Sequence, residues 1–558
     1  MTTMPYMNPF DFIPFHGEPL LKTVDEWIED GREALLSGRI LVRLRALTPL
    51  NVTGRIQTRG KAMSFRQFYR QTPPGEMGTQ SLPCVPGSSI KGALRSFTEA
   101  LTNGFISSYN IGSEGIGTDG GGHPDYHKGL YAKKQGHPLR RPPIVGRHIG
   151  FLTASYSPDI AGKTFPVPTG KTKTRSFFEF KGVLPKAFAL PERLTAETPI
   201  DVASVLFGIT ALPSESKQKE GAGALRGRVV FSDAYFPRDA LTTRGHHPKA
   251  LDLNGKAAFG APNPSISNWW YFTPRTVGKR IVNGEENAEF IGYRLRGRKF
   301  YFHQDPAPCI EYYKKKWTHM PAKLEYYDVE SVSAGKDSQP FSIMFRKLPM
   351  SLLRLLLFIL SPADSVRHKL GALKPFGFGS VEFAVEKVEI EKRGFDRLAS
   401  RSLSGNDLFS ESDDLKVWAL PIAGNAGDPK KGNTRDTRVE CLAEQGLIDR
   451  ASWQWLRFVL HYPDELKNQE RLFIYPVYRQ KRAHEPPLSP EEKGFAQTIL
   501  MEDLPKKAPA KSWQLAQELY DKKLTIHFDV YQKNASNFDL VRKAAGLPDF
   551  DHGVPDPP

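Results

Sequence analysis

The sequence predicts an α+β fold, on three observations. Ile40, Val42, Leu44 and Ala46 alternate with Arg39, Leu41, Arg43 and Arg45, the period-two signature of a strand with one buried face and one basic face. Past Gly87, the residues Ile90, Ala93, Leu94, Phe97 and Leu101 recur at helical spacing. Far downstream, a segment apolar nearly all round reaches Leu360 and precedes Val381, Phe383 and Val385, which alternate again.

Residues 1–36 read as an acidic, proline-containing lead-in with a short helix within 23–35. After the first strand no period persists through 48–82, and Arg55, Arg59, Lys61, Arg66 and Arg70 lie among Phe65, Phe68 and Tyr69, the pattern of a long basic loop. The stretch PCVPGSSIKGALRS (83–96) then places a Pro86-Gly87 turn before a helix that Ser88 is positioned to cap. Lys91 and Arg95 stand one turn apart on the polar face, with Lys91 read into the first turn, where a cation opposes the helix dipole. An anion would relieve that conflict, and free N–H groups at a helix start suit phosphate. The plain alternative is an amphipathic helix with solvated cations.

Glycine and histidine crowd 103–143, which argues for an insertion rather than core. GKTKTRSFFEF (170–180) interleaves Lys171, Lys173 and Arg175 with Phe177 and Phe178, a mixture that can hold phosphates and stack bases. LRGRVVFSDAYF (225–236) reads as an interior strand, and 269–317 repeats the basic-aromatic mixture. Pro349 suits the first position of the Leu-rich helix, after which HKLGALKPFGFGSV (368–381) sets Gly371, Gly377 and Gly379 around Lys374. Glycines there allow close approach to a phosphate chain, though such loops alone are weak signals. A polar linker over 396–436 separates a C-terminal α+β region, 437–558, with a helix over 437–460, another over 513–522 and a strand over 524–531.

The chain has 558 residues, 77 Lys and Arg against 61 Asp and Glu, and a net charge of +16. That balance favours a polyanionic partner, nucleic acid first. Cys84, Cys309 and Cys441 are far apart and form no CxxC pair, so neither a disulfide framework nor a cysteine zinc site is supported. The longest apolar stretch, 352–360, is too short to span a bilayer and carries Arg354. These features lead to the expectation of a cytoplasmic protein without membrane contact.

PGSSIKGALRS, LRGRVVFSDAYF and HKLGALKPFGFGSV, in that order, resemble the RAMP superfamily of CRISPR proteins, especially large single-chain members of type III effector complexes. The resemblance spans roughly 39–390. It implies a ferredoxin-like, RRM-type β-α-β-β-α-β core over 37–395, with insertions at about 101–220 and 237–340. It also implies a subunit that holds CRISPR RNA and target RNA beside other RAMP subunits and a large polymerase/cyclase-like subunit, while base pairing supplies specificity. The expected RNA contacts are Arg43, Arg45, Ser88, Ser89, Lys91, Arg95, Lys171, Lys173, Arg175, Lys374, Gly377, Phe378 and Gly379. The helix start and the glycine segment are expected to converge on one strand of RNA.

Related subunits cut bound RNA with an acid in the loop after the first strand and a divalent ion. Here 47–82 contains no aspartate and one acid, Glu76, so either Glu76, or Asp119 or Asp125 from the glycine-rich insertion, holds Mg2+ in its place, or this subunit does not cut. The enzymatic alternatives are an endoribonuclease cutting target RNA in the complex, or one processing precursor guide RNA through a histidine. The pairs His123/His127 and His246/His247 offer such histidines but no third metal ligand. A general RNA-binding protein outside defence is disfavoured by the motif order.

Overall fold

The computed structural model describes residues 9–28, 34–59, 63–74, 80–107, 186–210 except 189 and 192, 223–248, 297–310, 326–363, 366–392, 408–419 and 437–462, and the backbone of strands within 132–179 and 272–295. Side chains of 11, 56–65, 186, 243–248 and 326–328 are outside that description.

Six strands form the main sheet, all neighbours antiparallel: β1 (Leu36–Ala46), β2 (Val229–Phe231), β3 (Phe341–Leu348), β4 (His368–Lys369), β5 (Ser380–Glu391) and β6 (Phe409–Glu411). Their order across the sheet is β2-β3-β1-β5-β4, with β6 added alongside β5. The central strand β1 pairs with β3 on one side and β5 on the other, so Ile40 faces both Ile343 and Val388. Its alternation is the one read from the sequence: Ile40, Val42, Leu44 and Ala46 are buried, and Arg39, Arg43 and Arg45 take the opposite face.

Two helices cover the apolar face. α1 (Gly87–Leu101) buries Ile90, Leu94, Phe97 and Leu101, and α3 (Met350–Leu360) buries eight of its eleven residues. α1 begins beside β2, where a Cβ on Gly87 would collide with Phe231 O, and ends near the opposite edge, where Phe97 meets the His368 ring at 4.8 Å. It therefore crosses the sheet. Between them α2 (Val202–Phe207) packs on α1, its start capped by Asp201, whose carboxylate accepts from Ser204 N at 2.9 Å.

The C-terminal segment joins the same core. α4 (Asp413–Trp418), α5 (Thr437–Glu444) and α6 (Arg450–Val459) place Leu415, Val439, Leu442, Trp453, Trp455 and Leu456 in one apolar cluster with β1, and Trp453 packs edge-on to Phe358 at 5.2 Å. Where the periodicity predicts one helix over 437–460 there are two. Gly446 at φ +72° ends the first, and Asp449 caps the second by accepting from Ser452 N at 2.7 Å. In the lead-in, the short helix Val24–Ile28 starts at a reciprocal capping pair: Glu26 accepts from Thr23 N at 2.7 Å, and Thr23 Oγ1 accepts from Glu26 N at 3.3 Å.

Other expectations need correction. The stretch 225–236 is not one interior strand: it breaks into Ala224–Arg226, Val229–Phe231 and Ala234–Tyr235, and its centre is the sheet edge with Val230 46% exposed. Pro349 sits just before its helix rather than in it. The stretch 48–82 is not a loop. Thr53–Arg59 and Met63–Phe68 form a hairpin, and Met63–Phe68 runs parallel to Tyr326–Val332, itself paired with Leu241–Pro248. Those partners lie more than 170 residues away, beyond the reach of any local period. Arg70 fixes the hairpin's base, gripping Glu330 through two hydrogen bonds at 2.8 and 2.5 Å while Glu330 also accepts from Phe68 N.

His368 is fully enclosed between Phe97 and Phe383, and burial depresses its pKa to about 4. The unfolded chain therefore binds this proton near pH 6.5 and the folded chain does not. Stability falls as pH drops from about 6.5 to about 4, by on the order of 3 kcal/mol from this group. Urea denaturation across that range, compared with His368→Gln, measures it: the variant loses that part of the pH slope.

Candidate functional site

The start of α1 sits differently from the sequence expectation. Pro86, not Ser88, is the residue before the first turn, and no side chain of its own caps the helix. The cap comes from 146 residues away: Asp233, just after β2, accepts from Gly87 N at 2.7 Å. A carboxylate of the protein thus occupies the anion position at the helix start, and Asp233 is the residue that the sequence reading missed in this role. With Gly87 as first residue, Lys91 falls in the second turn, so the dipole conflict assigned to it is weak. Ser88 is exposed and Ser89 half-buried.

The two cations of α1 have different fates. Arg95 bonds Glu99 at 2.7 Å and donates to Gly208 O at 2.7 Å, which commits it to protein contacts. Lys91 has no acidic partner among the described residues. Partial burial, then the neighbouring Arg95, lower its pKa, so its ammonium is held without compensation at the edge of the helix.

The basic face of β1 is neutralised across the sheet. Arg39 pairs with Glu389, Arg43 with Glu386 at 2.7 Å, and Arg45 with Asp337 at 3.7 Å, while Arg367 meets Glu382 at 3.3 Å. The guanidinium of Arg39 also lies over Phe409 at 4.6 Å. Arg43 and Arg45 are therefore held in ion pairs rather than left as bare cations: Arg39 lies directly opposite Glu389 on β5, Arg43 reaches Glu386 on the same strand, and Arg45 reaches Asp337 beside the sheet.

The glycine segment is likewise built for the protein. Gly371, Gly377 and Gly379 all have φ between +75° and +87°, and Cβ atoms there would collide with Asn51 O, Gln304 O and Leu370 O. Phe378 is fully buried. The carbonyls of Gly377 and Phe378 accept from the buried Lys369 Nζ at 3.2 and 3.1 Å, and Gly377 O also accepts from Thr48 Oγ1. Protein backbone fills the space that a Cβ would take at each of these glycines, so the protein's own packing accounts for them. Lys374 is half-buried, and burial lowers its pKa. The turn lies by the β4 edge and the start of α1 by the β2 edge, with β3, β1 and β5 between them, so the two do not converge.

Glu76, Asp119, Asp125, Lys171, Lys173, His123 and His127 lie outside the described residues. Arg175, His246 and His247 lie on strands whose side chains are not described. Among the described residues no group of three His, Cys, Asp or Glu side chains could hold a metal ion, and no helix is long and apolar enough to cross a membrane. All three cysteines are free thiols.

A sheet with two helices on one face and a helix edge that carries Lys91 define a mixed α/β scaffold. This chain belongs to the RAMP superfamily, whose family model matches residues 43–382. No curated protein matches it. Solved structures that resemble it include a chain of a "Type IV-B CRISPR Complex", at 12% identity, TM-score 0.22, and coverage of 66% of this chain and 92% of that one. Csc2 of Thermofilum pendens is similar at 13% identity and TM-score 0.25, covering 70% and 84% respectively.

Removing the Asp233 carboxylate leaves the Gly87 N–H without its acceptor and unties α1 from β2. Asp233→Ala is expected to cost about 1–2 kcal/mol, read as a shift in the denaturation midpoint at unchanged slope.

Proposed function

We propose that this chain is an RNA-holding subunit of a CRISPR effector complex of the type III kind, gripping guide RNA while neighbouring RAMP subunits and a polymerase/cyclase-like subunit complete the assembly around target RNA. Membership of the RAMP superfamily supports this, as does a net charge of +16, which suits a polyanionic ligand. The succession β1-α1-β2-β3-α3-β5 with spatial order β5-β1-β3-β2 supports a ferredoxin-like core. The observation that carries the reading is Lys91. On a sheet whose arginines are matched by acids, the lysine on α1 stands without one among the described residues.

The reading assigns phosphate contact to Lys91, with Ser88 beside it, and withdraws it from Arg95, Arg43 and the glycine turn. Affinity is then sequence-tolerant and salt-sensitive. Lys91→Ala should weaken binding of any single-stranded RNA and reduce the slope of log K against log salt by about one unit, measured by fluorescence anisotropy. Arg95→Ala should instead lower stability. An unchanged slope for Lys91→Ala refutes the assignment.

A further inference from the structure

Among the described residues four large apolar side chains are exposed: Leu20, Val230, Met344 and Val417. Two of them meet. Val230 on β2 stands directly opposite Met344 on β3, and the same row runs on to Arg39 and Glu389 across the open face of the sheet. Two residues on from Met344, Arg346 takes that face too, and its N–H donates to Arg228 O at 3.0 Å, which sets Arg228 beside it. The Arg228 guanidinium is steadied by donating to Lys347 O at 3.1 Å, and Lys347 itself is exposed. Asp25 is the acid whose charge reaches Arg228. This corner of the sheet is thus an apolar pair, 46% and 40% exposed, flanked by three cations.

The helix α4 carries the complement. Its Val417 is 63% exposed, and the exposed Asp413 and Asp414 stand four and three residues before it, one helical turn away. On its other side Leu415 is buried in the core, α4 packs against α3 and β5, and Arg354 of α3 lies over Trp418 at 5.0 Å. It therefore sits on the helix-covered side by β5, whereas the corner lies on the open face at the β2 end, with β1 between. One molecule cannot bring the two together. Valine and methionine offer no ring for a base to stack on, while methionine and arginine are enriched in protein interfaces, so the corner suits protein rather than RNA. α4 also lies beyond residues 43–382, so family membership does not supply this surface.

We infer that α4 of one molecule docks on the β2–β3 corner of a second copy of this chain, with Val417 against Val230 and Met344, and Asp413 and Asp414 facing Arg228, Arg346 and Lys347. The two surfaces match because each sets an apolar centre beside charge, and the charges are opposite. The contact is head-to-tail: each molecule gives its α4 to one neighbour and its corner to another. Both patches are small and their charges exposed, so association depends on concentration and weakens with salt. The contact uses neither Lys91 nor RNA, and it stands apart from the functional reading above.

The test is sedimentation velocity on the full-length, nuclease-treated protein over a series of concentrations, at low and at raised salt. The parent should self-associate, and salt should weaken it. Val230→Asp, which sets a carboxylate against the acids of α4, and Val417→Lys, which sets an ammonium against the arginines, should each weaken self-association at least about tenfold. An equal mixture of the two should associate again, because the first brings an intact α4 and the second an intact corner. Met344→Asp replaces Val230→Asp if that variant does not fold. A parent that stays monomeric, or that associates only with RNA or with another protein, overturns the inference. So does self-association that survives either substitution, or a mixture that stays monomeric. Each of those results leaves the functional reading, which is tested by RNA affinity, where it was.

Discussion

The whole architecture depends on β1 being paired on both sides. Residues 36–46 accept β3 from 341–348 along one edge and β5 from 380–391 along the other, so β1 gains two neighbours from about 300 positions downstream. The ladder satisfies the backbone of the interior strand, and the apolar alternation of Ile40, Val42, Leu44 and Ala46 then gives α1 and α3 a continuous surface to cover. Once that face is covered, the excursions between elements can be long, because loop closure costs rise only slowly with length.

The same pairing decides the electrostatics. Arginines at 39, 43 and 45 are drawn into pairs with acids on β5 and beside it, and the more exposed of these, at Arg43 and Arg45, contribute little stability singly. Their larger effect is to remove net charge from the open face of the sheet. Lys91 on α1, by contrast, has no acidic partner among the described residues. At the start of α1, Asp233 plays the part an external anion would have played, which ties the helix to β2. The buried knot around Arg298 has a comparable structural role: it donates to Gly104 O and its guanidinium lies over the adjoining rings of Phe15 and Phe188, binding lead-in, helix end and excursion root together.

Much of the framework was legible in the residues. The buried halves of β1 and β5, the apolar face of α1 and the near-total burial of α3 follow from periods of 2 and 3.6 that need no knowledge of partners. The hairpin in 48–82 was not legible, because its strands are held by Tyr326–Val332 and by the Arg70–Glu330 grip, and no local pattern announces a partner 260 residues away. The same limit explains 225–236, whose apolar centre reads as interior until the sheet order places it at an edge. At the site, Lys91 and Ser88 were visible as a polar helix face, but the division of labour between Lys91 and Arg95 was not.

By itself, then, the amino-acid order determined which residues are apolar at which period, and hence the main strands, the two covering helices and the glycines needed at positive φ. Those are local properties, set by side-chain chemistry and backbone sterics within a few residues. Only the tertiary structure decided which of the described cations have acidic partners, which glycines are pressed against protein, and which acid caps α1. Each of those depends on what lies a few ångströms away through space, and Glu99, Glu386, Glu389, Asp233 and Leu370 are brought there by strand pairing and helix packing.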